Sequence, residues 1–317
     1  MISLANPHQR KFKNLRVSLT DVCNLNCVYC TLGNDDEINA DHRPQQPASF
    51  FIKLVAKLHK QLHLDSIRLT GGEPLLYRHL SDLIEGLKQL NINDINLTSN
   101  GFLLARHALM LKKAGLKAIN ISLDAIDEEL FFKITKRKNV TRVVAGIDTA
   151  LQNGLTVKLN TVIMKGINEN QILPLLDFAF SRNIPIRFLE VMAMGHLYQN
   201  VNQHFVSQQQ ILDTIATKHT FSTMVRKTSA TAQYWLTNKG QTFGIIANET
   251  APFCHDCNRL RLDAKGNIYG CLSNNNPIAI GIEMQPNILA QKLHEAMQQK
   301  QAYKFAGSQL SMLEIGG

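Results

Sequence analysis

Eleven residues, Thr20-Asp21-Val22-Cys23-Asn24-Leu25-Asn26-Cys27-Val28-Tyr29-Cys30, decide how the rest of the chain is read. Three thiols stand at C-x3-C-x2-C spacing, directly after a short alternating run, Leu15 to Thr20, that reads as a strand. Three cysteines in eight residues cannot all pair as disulfides, and a loop this short lets them converge on one point. Soft thiolates suit iron–sulfur clusters, zinc or cuprous copper. A four-iron cluster normally takes four thiolates, so three leave one iron open to a ligand that reacts. A structural zinc with a fourth ligand elsewhere is the alternative, although zinc motifs more often bring cysteines in C-x2–4-C pairs.

Working outward, residues 15 to 191 alternate short strands with amphipathic helices. The spacing predicts strands over 15–20, 66–70, 94–98, 118–122, 156–163 and 186–191. Helical stripes lie between them: Ile52, Val55, Ala56, His59 and Leu62; Leu80, Leu83, Ile84, Leu87 and Leu90; Leu104, Ala108 and Leu111; Val140, Val143, Val144, Ile147 and Leu151. Gly115 and Gly154 stand where helix C-caps are expected, and Asn168 with Gln171 suggests a capping box. Strands separated by helices imply βαβ units and a parallel sheet.

Side chains alternate between the two faces of a strand. Leu15, Val17 and Leu19 therefore oppose Arg16, Ser18 and Thr20, and Ile67 and Leu69 oppose Arg68 and Thr70. Ile95 and Leu97 oppose Asn96 and Thr98; Ile119 and Ile121 oppose Asn120 and Ser122; Val157 and Leu159 oppose Lys158 and Asn160. The sixth strand breaks the rule, because Arg187 and Glu190 have opposite parity. Strands covered on both faces should be apolar throughout. A half-polar set instead fits an open parallel barrel whose lumen holds a polar ligand, since burying unpaired charge in a closed one costs several kcal/mol (about).

The turns that follow the strands lie at the end such barrels use for chemistry. They are the cysteine loop, Gly71-Gly72-Glu73-Pro74 (whose glycines let backbone approach a bound molecule), Thr98-Ser99-Asn100-Gly101, Leu123-Asp124 and Glu190-Val191-Met192. Residues 192 to 245, rich in Gln, Thr and Asn and holding Trp235, read as a linker with smaller strands and no assigned chemistry. A second triple, Cys254, Cys257 and Cys271, follows as C-x2-C-x13-C. With His255 or His219 it could be a zinc ribbon, and alone it does not choose between zinc and iron–sulfur. Arg259 and Arg261 alternate with Leu260 and Leu262. On a strand both guanidiniums would share a face beside the metal, suited to bidentate phosphate contacts.

All six cysteines belong to these two triples, whereas a secreted disulfide protein would scatter them. With 44% hydrophobic and 19% charged residues, the 317-residue chain has the composition of a soluble globular protein. Met1 to Lys13 is polar and basic, unlike a signal peptide. No run approaches the roughly 18 apolar residues of a membrane span, and the expected location is cytoplasmic. A net charge of +9 without a basic stripe favours an anionic small molecule over nucleic acid.

Together these motifs resemble one family. C-x3-C-x2-C with Tyr29 before its last cysteine is the signature of radical S-adenosylmethionine enzymes, which have a partial (βα)6 barrel. The second triple, the stretch Cys257-Asn258-Arg259-Leu260-Arg261-Leu262 and the terminal Gly316-Gly317 are similar to the GTP 3′,8-cyclases of molybdenum cofactor biosynthesis. The resemblance implies an α/β, open TIM-like barrel over residues 1–191, and an extension over 192–317 that carries a second cluster and binds substrate. It implies two [4Fe-4S] clusters, on Cys23, Cys27 and Cys30 and on Cys254, Cys257 and Cys271. S-adenosyl-L-methionine would contact Tyr29, Gly72, Ser122 and Met192. GTP would contact Arg16, Arg68, Thr98, Lys158, Arg259 and Arg261, with Asn100 nearby. In such enzymes a 5′-deoxyadenosyl radical takes hydrogen from ribose carbon 3′, and the ribosyl radical attacks carbon 8 of guanine. The first triple, Arg259 and Arg261 would then be the catalytic set.

The implied partners are a reductant such as flavodoxin or ferredoxin, a downstream cyclic pyranopterin monophosphate synthase and, in a homodimer, a second copy; nucleic acid and membrane are not among them. Thr31-Leu32, Glu169-Asn170, Met192-Ala193-Met194-Gly195 and Glu314 depart from the usual family sequences. The competing expectations are a radical S-adenosylmethionine enzyme acting on a peptide and a zinc-stapled nucleic-acid-binding module.

Overall fold

The computed structural model of the chain describes residues 10–31 and 45–315. Leu32 and the terminal pair Gly316-Gly317 lie outside the described residues. The six expected strands form as β1 (Asn14–Ser18), β2 (Ser66–Thr70), β3 (Asp94–Ser99), β4 (Ala118–Ser122), β5 (Thr156–Ile163) and β6 (Ile186–Glu190). Neighbours in sequence pair in parallel, β1 through β6 in order. Between them run α1 (Ala48–Leu62), α2 (Leu80–Gln89), α3 (Leu104–Ala114), α4 (Glu128–Thr135), α5 (Val140–Gln152) and α6 (Ile172–Ser181).

The apolar parity set packs under these helices. Leu15, Val17, Ile67, Leu69, Ile95, Leu97, Ile119, Ile121 and Leu159 are buried, each contributing about 1.5–3 kcal/mol of transfer free energy. The first helical stripe is displaced from the expected one. Phe51, Leu54, Val55, Leu58 and Leu62 face the core, and His59 is only partly buried. Gly115 (φ 102°) caps α3 as expected, and Gly154 (φ 70°) follows the Asn153 cap of α5. The capping box expected at Asn168 and Gln171 does not form. Asn168 accepts from Met164 N and donates to the carbonyls of Asp124 and Val162, while Gln171 Oε1 accepts from Ile126 N. Both amides tie down the loop after β4 instead, and a capping box of that type occurs at Ser207 and Gln210.

Residues 192–315 add α7 (Gln208–Ala216), β7 (Phe221–Thr223), β8 (Gln233–Thr237), β9 (Thr242–Ile246), β10 (Arg259–Leu262), β11 (Asn267–Tyr269), β12 (Ile278–Ala279), α8 (Pro286–Gln298) and α9 (Met312–Ile315). Their strands extend the barrel sheet rather than building another, giving the order β12-β11-β10-β1-β2-β3-β4-β5-β6-β9-β8-β7. β10 pairs in parallel with β1, and β9 with β6. Antiparallel partners finish both flanks, Trp235 stacking on Phe243 with centroids 5.6 Å apart. The two ends of the sheet, β12 and β7, do not pair with each other. The barrel is therefore partial and open.

Candidate active site

The cysteine loop is positioned by backbone contacts from two neighbouring loops. Gly72 N donates to Thr20 O at 2.7 Å, and Glu73 N donates to Val22 O at 2.8 Å. A Cβ on Gly71 would sit 2.6 Å from Thr20 O, and one on Gly72 would overlap the Val22 carbonyl. The glycine pair thus permits close packing of one protein loop on another, as well as lining the cavity. From the other side α4, which periodicity did not reveal, offers its last carbonyls: Asn26 N donates to Thr135 O and Val28 N to Ile134 O, both at 2.9 Å.

Glu73 staples the assembly. Fully buried, it accepts from Leu75 N (2.9 Å), Ser99 Oγ (2.8 Å) and Asn100 N (2.7 Å). Burial outweighs these hydrogen bonds and pushes its carboxyl up to about 7. Asn100, expected near the phosphates, instead turns Nδ2 towards Cys23 Sγ (3.7 Å) and Asn24 Oδ1 (2.8 Å). Tyr29 donates to Asp124 Oδ2 at 2.7 Å. Burial raises the Asp124 carboxyl to about 6 and the Cys23 thiol to about 11, and holds Cys27 and Cys30 well above the ordinary thiol value.

Across the lumen stands the cationic set. Arg16 pairs in register with Arg261 on one side and Arg68 on the other, and Arg68 pairs with Asn96. Asn120 pairs with both Thr98 and Lys158, and Asn160 with Arg187. One row of the sheet therefore carries three adjacent guanidiniums. Burial lowers all three, Arg68 and Arg261 to about 10, and the neighbouring arginines add to the effect. Arg187, whose parity opposes that of Glu190, also lines the lumen. Its Nε and Nη2, and Arg259 Nη2, are buried without hydrogen-bond partners among the described residues. Glu190 is held at the strand end instead, accepting from Gln208 N, Glu249 N and Thr250.

The stretch expected to carry no chemistry, 192–245, supplies a strap. Residues 224–227 and 229–232 line the cavity on one side, and the segment binds the second triple through Asp256. Arg226 Nη2 donates to Asp256 Oδ2 at 2.6 Å, Ser229 N to the same oxygen at 2.8 Å, and Ser229 Oγ to Asp256 O at 2.7 Å. Arg259 Nη1 then donates to Ser229 O at 2.8 Å. Neither histidine weighed as a zinc ligand lines the cavity: His255 is exposed, and His219 packs edge-on against Phe180.

Both thiol triads and the cationic set open into one cavity of about 770 Å³. It is lined by Cys23, Cys27 and Cys30 and by Cys254, Cys257 and Cys271; by Tyr29, Gly72, Ser122 and Met192; and by Arg16, Arg68, Thr98, Lys158, Arg259 and Arg261. Among the described lining residues, nine are Lys or Arg, while the carboxylates are Asp124 and Glu190. The residues fit the implied groups. Each triad offers three free soft donors of the kind a four-iron centre takes, and the unpartnered guanidinium N–H groups suit a polyanion.

An open parallel barrel with a thiol triad after its first strand defines the radical S-adenosylmethionine class. The Radical SAM superfamily model matches residues 17–179, and the model for Molybdenum Cofactor Synthesis C matches 184–306. The curated GTP 3′,8-cyclase of Nautilia profundicola is 40% identical over 270 residues, covering 85% of this chain and 83% of that one. The GTP 3′,8-cyclase of Rhodopirellula baltica is 34% identical over 308 residues, covering 94% and 85%. The chain belongs to the GTP 3′,8-cyclase family of the radical S-adenosylmethionine superfamily. Its fold is also that of Streptococcus suis SuiB bound to S-adenosylmethionine (TM-score 0.62, 16% identity, 88% of this chain and 65% of that one). The AdoMet-bound anSMEcpe is similar at TM-score 0.61, 12% identity and 90% and 81% coverage.

Proposed function

We propose that this chain is an enzyme that converts GTP to (8S)-3′,8-cyclo-7,8-dihydroguanosine 5′-triphosphate for molybdenum cofactor biosynthesis. The observation that carries the reading is the row Arg261–Arg16–Arg68 in a lumen that also holds both thiol triads. A triphosphate brings about four negative charges, and charge-assisted bonds are about twice as strong as neutral ones. A peptide substrate gives no such reason for a desolvated arginine row.

In this reading Cys23, Cys27 and Cys30 hold the cluster that, when loaded, supplies the electron for cleaving S-adenosyl-L-methionine. Tyr29, Gly72, Ser122 and Met192 bind that molecule, and the Tyr29–Asp124 hydrogen bond fixes the ring beside the triad. Arg16, Arg68, Lys158, Arg259 and Arg261 grip the triphosphate, with Thr98 beside them. Cys254, Cys257 and Cys271 hold a second cluster on the guanine side. The strap keeps Arg259 aimed by accepting a hydrogen bond from its Nη1 at Ser229 O, so the guanidinium need not be ordered when substrate arrives.

We take residues 1–191 as the barrel that generates the radical and 192–317 as the region that holds its target. A flavodoxin- or ferredoxin-type reductant, a downstream cyclic pyranopterin monophosphate synthase, a homodimeric state and a cytoplasmic location complete the proposal. No helix among the described residues is long and apolar enough to cross a membrane. The test is anaerobic reconstitution followed by turnover with GTP, S-adenosyl-L-methionine and a low-potential reductant. Formation of the 3′,8-cyclo nucleotide supports the reading, and cleavage of S-adenosyl-L-methionine that is indifferent to GTP overturns it.

A further inference from the structure

The two thiol triads sit in opposite electrostatic surroundings. Beside the first are Asp124 and the buried Glu73, and its side-chain amide donor is the neutral Asn100. The second is approached by cations on a separate element. Gly270 makes the approach close: a Cβ there would overlap the Ala296 carbonyl, and Gly270 N donates to Gln299 Oε1 at 3.0 Å. The end of β11 thereby presses onto the last turn of α8. Just beyond that turn the Lys300 ammonium donates to Cys257 Sγ at 3.2 Å and lies 5.8 Å from the Phe12 ring centroid. Arg10 completes the cap, donating to Cys254 O at 2.7 Å and Gln301 O at 3.3 Å.

Reduction adds negative charge to an iron–sulfur centre, so hydrogen bonds to its sulfurs and nearby cations favour the reduced form; neighbouring carboxylates do the reverse. We propose that Lys300 is a tuning residue of the second centre, whose N–H bond to Cys257 Sγ holds that centre at a higher reduction potential than the first. Lys300 touches a ligand sulfur and acts through it. The inference rests on the second triad being a cluster ligand set, as proposed above.

The test is an EPR-monitored redox titration of the anaerobically reconstituted full-length protein. Wild type, Lys300→Met and Lys300→Arg are compared, with iron and sulfide counted in each. The Cys23→Ala/Cys27→Ala/Cys30→Ala protein isolates the second signal. The expected result is that the second centre of wild type is reduced first, that K300M lowers its potential without moving that of the first centre, and that K300R restores most of the shift. A fully loaded K300M protein with an unchanged second potential overturns the inference. If K300M loses the second cluster, K300R decides: retained iron at near wild-type potential supports the role, and loss of iron overturns it. Absence of the second cluster from wild type would instead sink the ligand-set reading itself.

Discussion

Arg16 and Arg261 stand side by side in the parallel pair β1–β10, with Arg68 on the far side of Arg16. Like charges placed opposite one another on a sheet cost about 0.2–1 kcal/mol each, and here burial adds to that. Without its anion the row is a source of destabilisation. Arg261→Ala should therefore leave the ligand-free protein as stable as wild type or slightly more so, while weakening GTP binding by about 2–4 kcal/mol. Thermal unfolding with and without GTP separates the two effects; equal GTP-induced stabilisation in both proteins would remove the phosphate role.

Glu73 predicts a pH dependence of a particular sign. Its folded value, about 7, lies above the ordinary carboxyl value of 4.5 because burial opposes ionisation. A raised carboxyl binds protons more tightly folded than unfolded, so its contribution is greatest below the unfolded value. That contribution declines as pH rises from about 4.5 to about 7 and is flat above. Glu73→Gln should remove the part of the slope that extends from about 6 to about 7, beyond the range of Asp124 (raised to about 6), and lose about 1–3 kcal/mol by leaving a buried donor unpaired. Denaturant melts of both proteins across that window check it.

The Asp256 latch predicts a substrate effect at a distance from substrate. Asp256→Ala removes the carboxylate acceptor for Arg226 and Ser229 N but keeps the backbone carbonyl that Ser229 Oγ donates to, so the strap holds Ser229 O less firmly against Arg259. KM for GTP should rise by roughly ten- to a hundredfold, matching about 1.4–2.8 kcal/mol of lost preorganisation, with iron content retained. An unchanged KM would leave the strap without a positioning role.

Gly270→Ala should act on the second triad alone. Its added methyl meets the Ala296 carbonyl, and overpacking of this kind costs about 1–3 kcal/mol. Relief requires β11 and α8 to separate, which carries Cys271 and Lys300 apart. Iron analysis should show loss from the second centre with the first retained; equal loss from both would contradict the local account.

Much of this was legible because strand parity is a local property. Arg16, Arg68, Thr98, Ser122 and Lys158 were placed on the lumen face from alternation alone, and they line the cavity. The strand bounds were good to within two residues, the first ending at Ser18 rather than Thr20. What failed was non-local. The adjacency of Arg261 to Arg16 depends on β10 joining β1 across more than two hundred residues. Residues 224–232 carry no periodicity, and α4 is a short helix whose buried side chains are Phe131, Ile134 and Thr135. Arg187 and Glu190 break the parity rule because Glu190 ends its strand, where alternation stops being a guide.

The central claim is that two incompletely ligated centres open onto one cation-lined space. It is tested most directly by EPR of the Cys23→Ala/Cys27→Ala/Cys30→Ala protein, reconstituted and reduced without oxygen, before and after adding GTP. The prediction is about four iron per chain where wild type holds about eight, and a spectrum that GTP alters unless Arg16 and Arg261 are also replaced. A variant that binds zinc with no acid-labile sulfide, or a spectrum that GTP leaves untouched, would contradict it.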